Sequence, residues 1–397
     1  MKLKYGEAEE AFRAELDAWL EANYPPESAR HPEPRSSADL VPWVRQWQRT
    51  LFDAGWLVPG WPPELGGRNA TPVQQMIYFE ELSGRHITRS ANPQGLGIIA
   101  PSIRDYGTPE QQEQFLLPTL RAEISWCLGM SEPNAGSDLA GLQTRAVLEG
   151  DEFVVNGQKI WTSGAHHADW CLCFVRTDPN VPKHKGISAL IIDTTSPGVE
   201  RRPFPDLLDR ERTDFNEVFF TDVRVPRANL LGELHQGWPL TQGSLAHERS
   251  MLWIDYAYSM DRIVDTMRGL ADHVATDGTR LGADVHFRDA IANAHVDAEA
   301  LRCIGYRGFS KFSHGRAAPE HSLLKLFGSE SIQRAILSVV DLLGPDALEL
   351  GGDTLFHHGE RPWGQQYLYS FAGTIPGGTS EIQRNIIAER VLGLPRR

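Results

Sequence analysis

The sequence predicts three packed regions in the order helical, β, helical. Three observations support this fold class. Apolar residues recur at helical spacing early in the chain, short apolar runs bounded by turn residues fill the middle, and long apolar stripes at helical spacing follow. A length of 397 residues also favours division, because single cores stop growing at about 250–300 residues. We predict a helical N-terminal domain over 1–123, a β-barrel or sandwich over 124–232, and a helical bundle over 233–397.

The N-terminal region is predicted to be mainly helical. Phe12, Leu16 and Leu20 fall at spacings that place them on one face of a helix. The run Thr108-Pro109-Glu110-Gln111 is typical of a helix start, with Thr as the cap, Pro in the first turn and Gln three residues after the cap. Residues 25–40 are rich in Pro, Ser and charge, and they indicate an irregular connection.

The stretch from Trp126 to Gly164 has the character of a binding surface. It opens with a small-residue turn, and Phe153-Val154-Val155 running into Asn156-Gly157 predicts a hairpin. Trp161 offers a flat ring that can cover a planar cofactor. Short hydroxyls along the stretch can donate or accept hydrogen bonds, and they are Ser131, Ser137, Thr144 and Ser163. The alternative is an ordinary loop and hairpin with a core Trp. Further strands are predicted over 170–175, 187–192 and 216–220.

The C-terminal region carries several long apolar stripes. One stripe runs through Leu252, Tyr256, Met260, Ile263, Met267 and Leu270. A second contains Ile291, Ala294, Ala298 and Leu301, and a third contains Ile332, Ile336, Val339 and Leu343. Long helices joined by short links predict an antiparallel bundle.

Composition excludes several classes of partner. The formal net charge of −13 argues against general affinity for nucleic acid or anionic membranes. No apolar run has the length of a membrane span, and Met1-Lys2-Leu3-Lys4 leads into no apolar signal segment. The four cysteines, Cys127, Cys171, Cys173 and Cys303, match no zinc template and are predicted to be reduced. These features predict a cytoplasmic protein.

Two histidine pairs are candidate metal ligands. They are His166-His167, and His357-His358 with Glu360. Neither pair has a third ligand at helical or hairpin spacing, so no metal site is predicted.

Three separated motifs resemble those of the acyl-CoA dehydrogenases, flavoenzymes that oxidise acyl-CoA thioesters. They are Ser131-Glu132-Pro133 with Ala135-Gly136-Ser137-Asp138, then Asn156 to Ser163, then Gly378-Thr379-Ser380-Glu381-Ile382-Gln383-Arg384. The likeness covers nearly the whole chain, and the last motif gives it the look of the bacterial, actinobacterial group. The resemblance implies the fold of that family, in which the C-terminal region is a four-helix bundle.

The resemblance also implies a reaction and its requirements. Oxidising the Cα–Cβ bond of a thioester needs a base for the α-proton, a hydride acceptor and donors to the thioester oxygen. No side chain accepts hydride, so a cofactor is required, and in the family it is FAD. Many members carry the base as a Glu directly before the Gly-Thr of the last motif. Here that position is Gly377, which cannot abstract a proton.

Glu248 is the predicted base. Isovaleryl- and long-chain-type members carry their Glu on a bundle helix directly before an Arg, which matches Glu248-Arg249. Periodicity agrees, because Glu248 lies four residues before Leu252 and extends its stripe, where desolvation raises the pKa of a carboxyl group. The alternative is a Glu at a helix start, favoured by the dipole and paired with Arg249. Arg249 is predicted to hold the pocket geometry or to contact substrate.

The resemblance assigns the other site residues by position. Met130 through its backbone and Ser131 through its hydroxyl would face the flavin pyrimidine, Trp161 would flank the ring, and Ser163 would bond near N5. Thr379 and Glu381 match positions near the FAD diphosphate and ribose, and Ser137 matches a position on the CoA arm. Gly377 and Gly378 leave room at the thioester end, which suits a branched or bulky acyl group. Taken singly, such hydroxyls are ordinary turn residues.

Two family segments are altered here. The Arg of an Arg-x-x-Phe-Gly segment, which reaches the FAD diphosphate of a neighbouring subunit, corresponds to Gly278, with Arg280 close by. The Gln-x-x-Gly-Gly loop at the adenine side reads Asp341-Leu342-Leu343-Gly344-Pro345. Arg280 and Gly344 are therefore the predicted contacts.

Three functional hypotheses follow. The first is an FAD-dependent acyl-CoA dehydrogenase, a homodimer or homotetramer that passes electrons to an electron-transfer flavoprotein. The second is a non-catalytic or half-site subunit of a heterotetramer with a related chain, as in some actinobacterial steroid-CoA dehydrogenases. The third is an acyl-CoA oxidase or nitroalkane oxidase relative.

Overall fold

The structure of the chain, a computed structural model, describes residues 5–208, 213–241, 251–274, 278, 280–314, 320–353 and 360–395. Its element order confirms the predicted helical, β, helical fold class. The boundaries near residues 123 and 232 stay a prediction.

The N-terminal helices form where the apolar periodicity predicts them. Phe12, Leu16 and Leu20 are buried on one face of the first helix. Thr108 makes the predicted capping box, since its hydroxyl accepts the Gln111 amide and the Gln111 side chain accepts the Thr108 amide. The helices are α1 Glu7–Asn23, α2 Pro42–Asp53, α3 Pro72–Gly84, α4 Ala100–Tyr106, α5 Pro109–Gln111 and α6 Leu117–Leu120.

The middle region folds into one eight-stranded sheet. Its strands are β1 Trp126–Gly129, β2 Arg145–Glu149, β3 Glu152–Lys159, β4 Trp170–Arg176, β5 Ile187–Asp193, β6 Val199–Pro203, β7 Asn216–Pro226 and β8 Leu230–Leu231. The order is β6-β7-β3-β2-β4-β5-β8, and β1 pairs with β4. Buried side chains from six of these strands meet in a single apolar cluster, and partly buried Val199 of β6 and Leu230 of β8 pack against it.

The predicted hairpin exists, but its turn was predicted at the wrong place. Strands β2 and β3 pair from Arg145↔Asn156 to Glu149↔Glu152, so the turn is Gly150-Asp151, and Gly150 has φ 64°. Asn156 and Gly157 lie inside β3, where the pairing with β7 shifts register between Val155 and Gly157. Glycine is needed there because a Cβ on Gly157 would lie 2.6 Å from the Thr144 Cα.

The C-terminal region is a set of antiparallel helices, as its stripes predict. They are α7 Leu252–Gly269, α8 Val285–Ser313, α9 Glu320–Leu343, α10 Trp363–Gly373 and α11 Ser380–Ile386, with two short strands, β9 Gly351–Asp353 and β10 Glu360–Pro362. Buried apolar side chains follow the predicted spacings, among them Met260, Ile263, Met267, Ala298, Leu301, Ile336 and Val339.

The described chain divides into two compact units. One contains 11–75 and the described residues from 88 to 241, including the sheet. The other contains 5–10, 76–87 and the helices α7 to α11. None of the helices within the described ranges is long and apolar enough to cross a membrane.

The capping box makes a first prediction. Substituting Thr108→Ala removes the cap of α5 and should destabilise the protein by about 1 kcal/mol, because an amide at the helix start loses its acceptor. The measurement is urea unfolding followed by circular dichroism. The control is Thr50→Ala inside α2, whose exposed hydroxyl bonds within its own helix to the carbonyl and the side chain of Gln46, and it should leave stability unchanged or raise it. Equal losses in the two variants would contradict the prediction.

Candidate functional site

Two predicted cofactor-binding segments meet at one point of the sheet. Strand β4 pairs with β5 on one side, so β1 and β2 lie end to end along its other side. Strand β3 runs back along β2 and ends where β1 ends. The Ile160 amide donates to the Ser131 carbonyl at 3.0 Å. Met130 and Ser131 are thereby brought next to the segment that begins with Trp161.

A buried ion pair ties these segments together. The Lys159 side chain is wholly buried, and its ammonium donates to a Glu132 carboxylate oxygen at 2.8 Å and to the Met130 carbonyl at 3.1 Å. Glu132 also accepts the backbone amides of Gln143 at 2.6 Å and Thr144 at 2.8 Å. Every charge in this pair therefore has a hydrogen-bonded partner, as burial requires.

The surroundings of Glu132 set its protonation. Burial raises the pKa of the Glu132 carboxyl group, but the Lys159 charge and the three donors lower it more, so the net shift of the pKa is downward. The carboxylate is therefore the form that the fold holds. The tight turn that follows is closed by two backbone hydrogen bonds of 3.0 Å between Glu132 and Ala135.

Trp161 has an exposed aromatic ring that two phenylalanine side chains contact. It has φ 60°, a conformation that bulky residues rarely adopt, and this reverses the chain direction after β3. Phe204 and Phe215 pack edge-to-face against it, with ring centroids 5.3 and 5.5 Å away. Trp161 nevertheless keeps 57% of its surface exposed. A large ring that is fixed and still open is suited to packing against a planar ligand.

The predicted hydroxyl residues occupy different environments. Ser131 and Ser163 are both half-buried, Ser131 at the meeting point of β1 and β3 and Ser163 two residues after Trp161. Ser137 lies on the exposed turn after Glu132. Thr144 is buried, and its hydroxyl donates to the Gln158 carbonyl at 3.3 Å, so it is part of the sheet scaffold.

The loop between α10 and α11 presents backbone amides. Gly377 and Gly378 both have positive φ, 68° and 97°. The Gln383 side chain donates to the Gly377 carbonyl at 3.0 Å, and the Lys325 ammonium, on α9, donates to the Gly378 carbonyl at 2.7 Å. A trans peptide directs its N–H opposite to its C=O, so the amides of Gly378 and Thr379 point to the other side of the loop. Thr379 caps α11, its hydroxyl accepting the Ile382 amide at 3.3 Å.

Glu381 lies at the exposed start of α11. Backbone hydrogen bonding at the helix start and the Thr379 hydroxyl lower the pKa of its carboxyl group. Gly377 has open space around it, since a Cβ built there meets no atom within 4 Å. Packing therefore leaves space for a side chain at position 377.

Arg280 and Gly344 are brought into one local cluster. The Leu281 amide donates to the His273 carbonyl at 2.9 Å, and the His273 ring bonds to the Asp346 carboxylate, two residues after Gly344, at 3.0 Å. Arg280 is exposed and pairs with Asp272 at 2.7 Å. Its guanidinium is thus already neutralised by a carboxylate.

The remaining predictions concern Glu248, Arg249 and the two histidine pairs. Glu248 and Arg249 lie outside the described residues, as do His357 and His358. The His166 and His167 rings lie with centroids 4.2 Å apart and planes tilted by 45°, and they bond separately to Asn216 and Ser36. Burial and the neighbouring His167 lower the pKa of His166. Within the described ranges no group of three His, Cys, Asp or Glu residues is placed to hold a metal.

The cysteines are free thiols. Cys127, Cys171 and Cys173 are buried, and Cys303 is exposed. Burial raises the pKa of the Cys173 thiol, which keeps it protonated.

Two site residues were missed by the sequence reasoning, Lys159 and Lys325. Each carried a signal. Lys159 is an even number of residues from the buried Phe153 and Val155, so alternation in β3 places it on the inward face. Lys325 is seven residues before Ile332, which extends the predicted apolar stripe of α9 backwards. A lysine on an inward face is a sign of a buried, hydrogen-bonded ammonium.

Comparison with known proteins decides the family. Family models for the N-terminal, middle and C-terminal domains of acyl-CoA dehydrogenase match residues 6–123, 127–223 and 235–392. The acyl-CoA dehydrogenase IpdE1 of Mycolicibacterium smegmatis is 34% identical, with 97% of each chain covered. The chain belongs to the acyl-CoA dehydrogenase family. It is an enzyme of that family, and the family is flavin-dependent in general.

Other acyl-CoA dehydrogenases are similar over the full length. FadE26 of Mycobacterium tuberculosis is 33% identical, with 100% of this chain and 99% of the relative covered. The ChsE4-ChsE5 complex from Mycobacterium tuberculosis matches with a TM-score of 0.81 at 32% identity and full coverage of both chains. The Tcur3481-Tcur3483 steroid ACAD matches with a TM-score of 0.80 at 28% identity, again covering both chains fully. Relatives of this enzyme thus include heteromeric complexes.

The buried ion pair makes a prediction about pH. Because the folded state lowers the pKa of Glu132, its contribution to stability is full above the unfolded value, 4.5, and is lost as the pH falls through the folded value. Glu132→Gln should therefore destabilise the protein by about 3 kcal/mol at neutral pH, and the difference from wild type should shrink in acid.

Urea unfolding between neutral pH and about pH 3.5 measures this difference. The control is Asp138→Asn, which breaks the exposed pair between Asp138 and Lys183 and should have a small effect at every pH. A difference for Glu132→Gln that stays constant as the pH falls would rule out the assignment.

Proposed function

We propose that this acyl-CoA dehydrogenase oxidises an acyl-CoA thioester to the trans-2-enoyl-CoA with bound FAD, Glu248 acting as the α-proton base. The observation that carries the proposal is the convergence of Met130 and Ser131 with the exposed, clamped ring of Trp161. These residues offer polar backbone groups and a flat apolar surface side by side, which is what an isoalloxazine ring requires.

The residues present fit FAD. In the sheet unit, Met130, Ser131, Trp161 and Ser163 would hold the flavin ring. In the helical unit, the outward amides of Gly378 and Thr379 are donors suited to an anionic diphosphate, and their conformation depends on positive φ at two glycines. When bound, FAD supplies the acceptor for the hydride that leaves the β-carbon.

The chain's own residues supply the rest of the chemistry. Glu248 takes the α-proton onto its carboxylate, which is most effective where desolvation raises the carboxyl pKa toward neutrality. Arg249 positions substrate or the pocket wall, and Ser137, on its exposed turn, contacts the CoA arm. The absence of a side chain at Gly377 leaves space beside the thioester, so we propose a branched or bulky acyl group, with a steroid side chain as one form of it. Electrons leave to an electron-transfer flavoprotein.

A second candidate function is that of a half-site subunit, and the cluster around Arg280 favours it. The guanidinium of Arg280 is paired there with Asp272, and the Asp346 carboxylate is paired with His273. Gly278 has open space and no charge where the family carries its diphosphate-binding Arg. Because the charge of Arg280 is already paired with a carboxylate, a related partner chain would have to complete the FAD site in that assembly.

Replacing the base gives the sharpest test of the proposed reaction. Glu248→Gln keeps size and removes the proton acceptor, so the rate of flavin bleaching by an acyl-CoA that reduces wild type should fall about a thousandfold, with FAD still bound. Stopped-flow absorbance measures the rate, and Glu233→Gln, an exposed carboxylate earlier in the chain, is the control. A Glu248→Gln variant that bleaches at the wild-type rate would show that the base lies elsewhere. Oxygen uptake without an added acceptor would indicate the oxidase alternative.

Flavin content separates the two assemblies. Protein expressed alone should carry close to one FAD per chain if it builds complete sites, whereas a colourless protein that stays empty with added FAD needs a partner. Asp272→Asn releases Arg280 and removes a negative charge, so it should lower the FAD Kd about threefold at low salt. Asp265→Asn, which releases Arg268 instead, is the matched control. Unchanged affinity in Asp272→Asn would mean that FAD does not reach this cluster.

A further inference from the structure

Lys159 holds a peptide group rather than contacting any ligand of the site. Its ammonium is wholly buried and bonds to the Met130 carbonyl at 3.1 Å, while the next carbonyl, that of Ser131, accepts the Ile160 amide at 3.0 Å. The carbonyl groups of Met130 and Ser131, which follow β1, are therefore both hydrogen-bonded to the end of β3.

Because the peptide group is planar, the anchored Met130 carbonyl also determines the direction of the Ser131 N–H, a donor for the proposed cofactor. The Met130 carbonyl and the Ser131 N–H belong to one planar trans unit, so an anchored carbonyl directs the N–H to the opposite side. That side is the one on which a flavin pyrimidine edge, rich in carbonyl acceptors, would be bound. The position of this donor depends on Lys159, and Lys159 depends on Glu132 for its charge partner.

We infer that the Glu132–Lys159 pair positions the flavin-binding peptide Met130–Ser131, and that its role is orientation of a cofactor donor in addition to stabilisation of the sheet. The inference rests on the proposed binding of FAD. An N–H donor held at the pyrimidine edge favours the reduced ring, whose negative charge collects there. Loss of the pair should thus weaken FAD binding and make the reduction potential of bound flavin more negative.

The test uses the double variant Lys159→Met/Glu132→Gln, which removes both charges together and avoids leaving one buried without its partner. This variant is measured in the assembly that holds FAD. Its Kd for FAD should rise about tenfold, because one oriented hydrogen bond to the cofactor is lost. The reduction potential of the bound flavin should become more negative. The matched control is Asp169→Ala. The Asp169 carboxylate accepts the Ser125 amide at 2.7 Å at the opposite end of β1, so this variant should lower the Tm and leave the Kd and potential unchanged.

The outcomes are distinct. A folded double variant with wild-type Kd and potential overturns the inference while the proposed function stands. Wild-type protein that binds no FAD, alone or with a related chain, overturns both. If the double variant does not fold, hydrogen exchange of the wild-type peptide over 127–133 decides, since added FAD should protect the Ser131 amide. Equal exchange with and without FAD overturns the inference.

Discussion

The candidate site depends on the hydrogen bonds that the buried ammonium of Lys159 makes. An ammonium removed from water carries a penalty of several kcal/mol unless acceptors surround it. Glu132 and the Met130 carbonyl are those acceptors, and Glu132 in turn collects two backbone amides. The requirement to satisfy one charge therefore fixes the end of β1, the end of β3 and the start of β2 together. Met130 and Ser131 take their positions from this network.

The helical unit uses a similar constraint at its own predicted cofactor loop. Lys325 is buried on α9 and holds the Gly378 carbonyl, as Lys159 holds that of Met130. In both cases a lysine points a carbonyl inward, and the adjoining N–H is turned the other way by the planarity of the peptide. Backbone donors fixed in this manner need no reorganisation when a ligand arrives. Because these hydrogen-bond donors are backbone N–H groups, nearby side chains can be substituted without removing them.

Much of the fold was predictable, because a buried helix face or strand face requires apolar residues at regular spacings in the sequence. The stripe through Met260, Ile263 and Met267 and the capping box of Thr108 both form as predicted. The hairpin turn was misplaced, because Asn156-Gly157 is a strong local turn signal that the long pairing of β3 with β7 overrides. In the candidate site, side-chain type led to the prediction of Trp161. Its contacts with Phe204 and Phe215 could not be predicted, since these residues are distant from it in sequence.

The loop at 377–379 is held through hydrogen bonds to its main chain. Gln383 and Lys325 donate to the Gly377 and Gly378 carbonyls, and the Ser380 amide donates to the Thr374 carbonyl at 3.1 Å across the loop. In the proposed mechanism Glu248 supplies the base, so a carboxylate is not needed at position 377. Orientation of the cofactor and removal of the proton are then assigned to different residues, and the open space beside Gly377 is proposed to receive the acyl group.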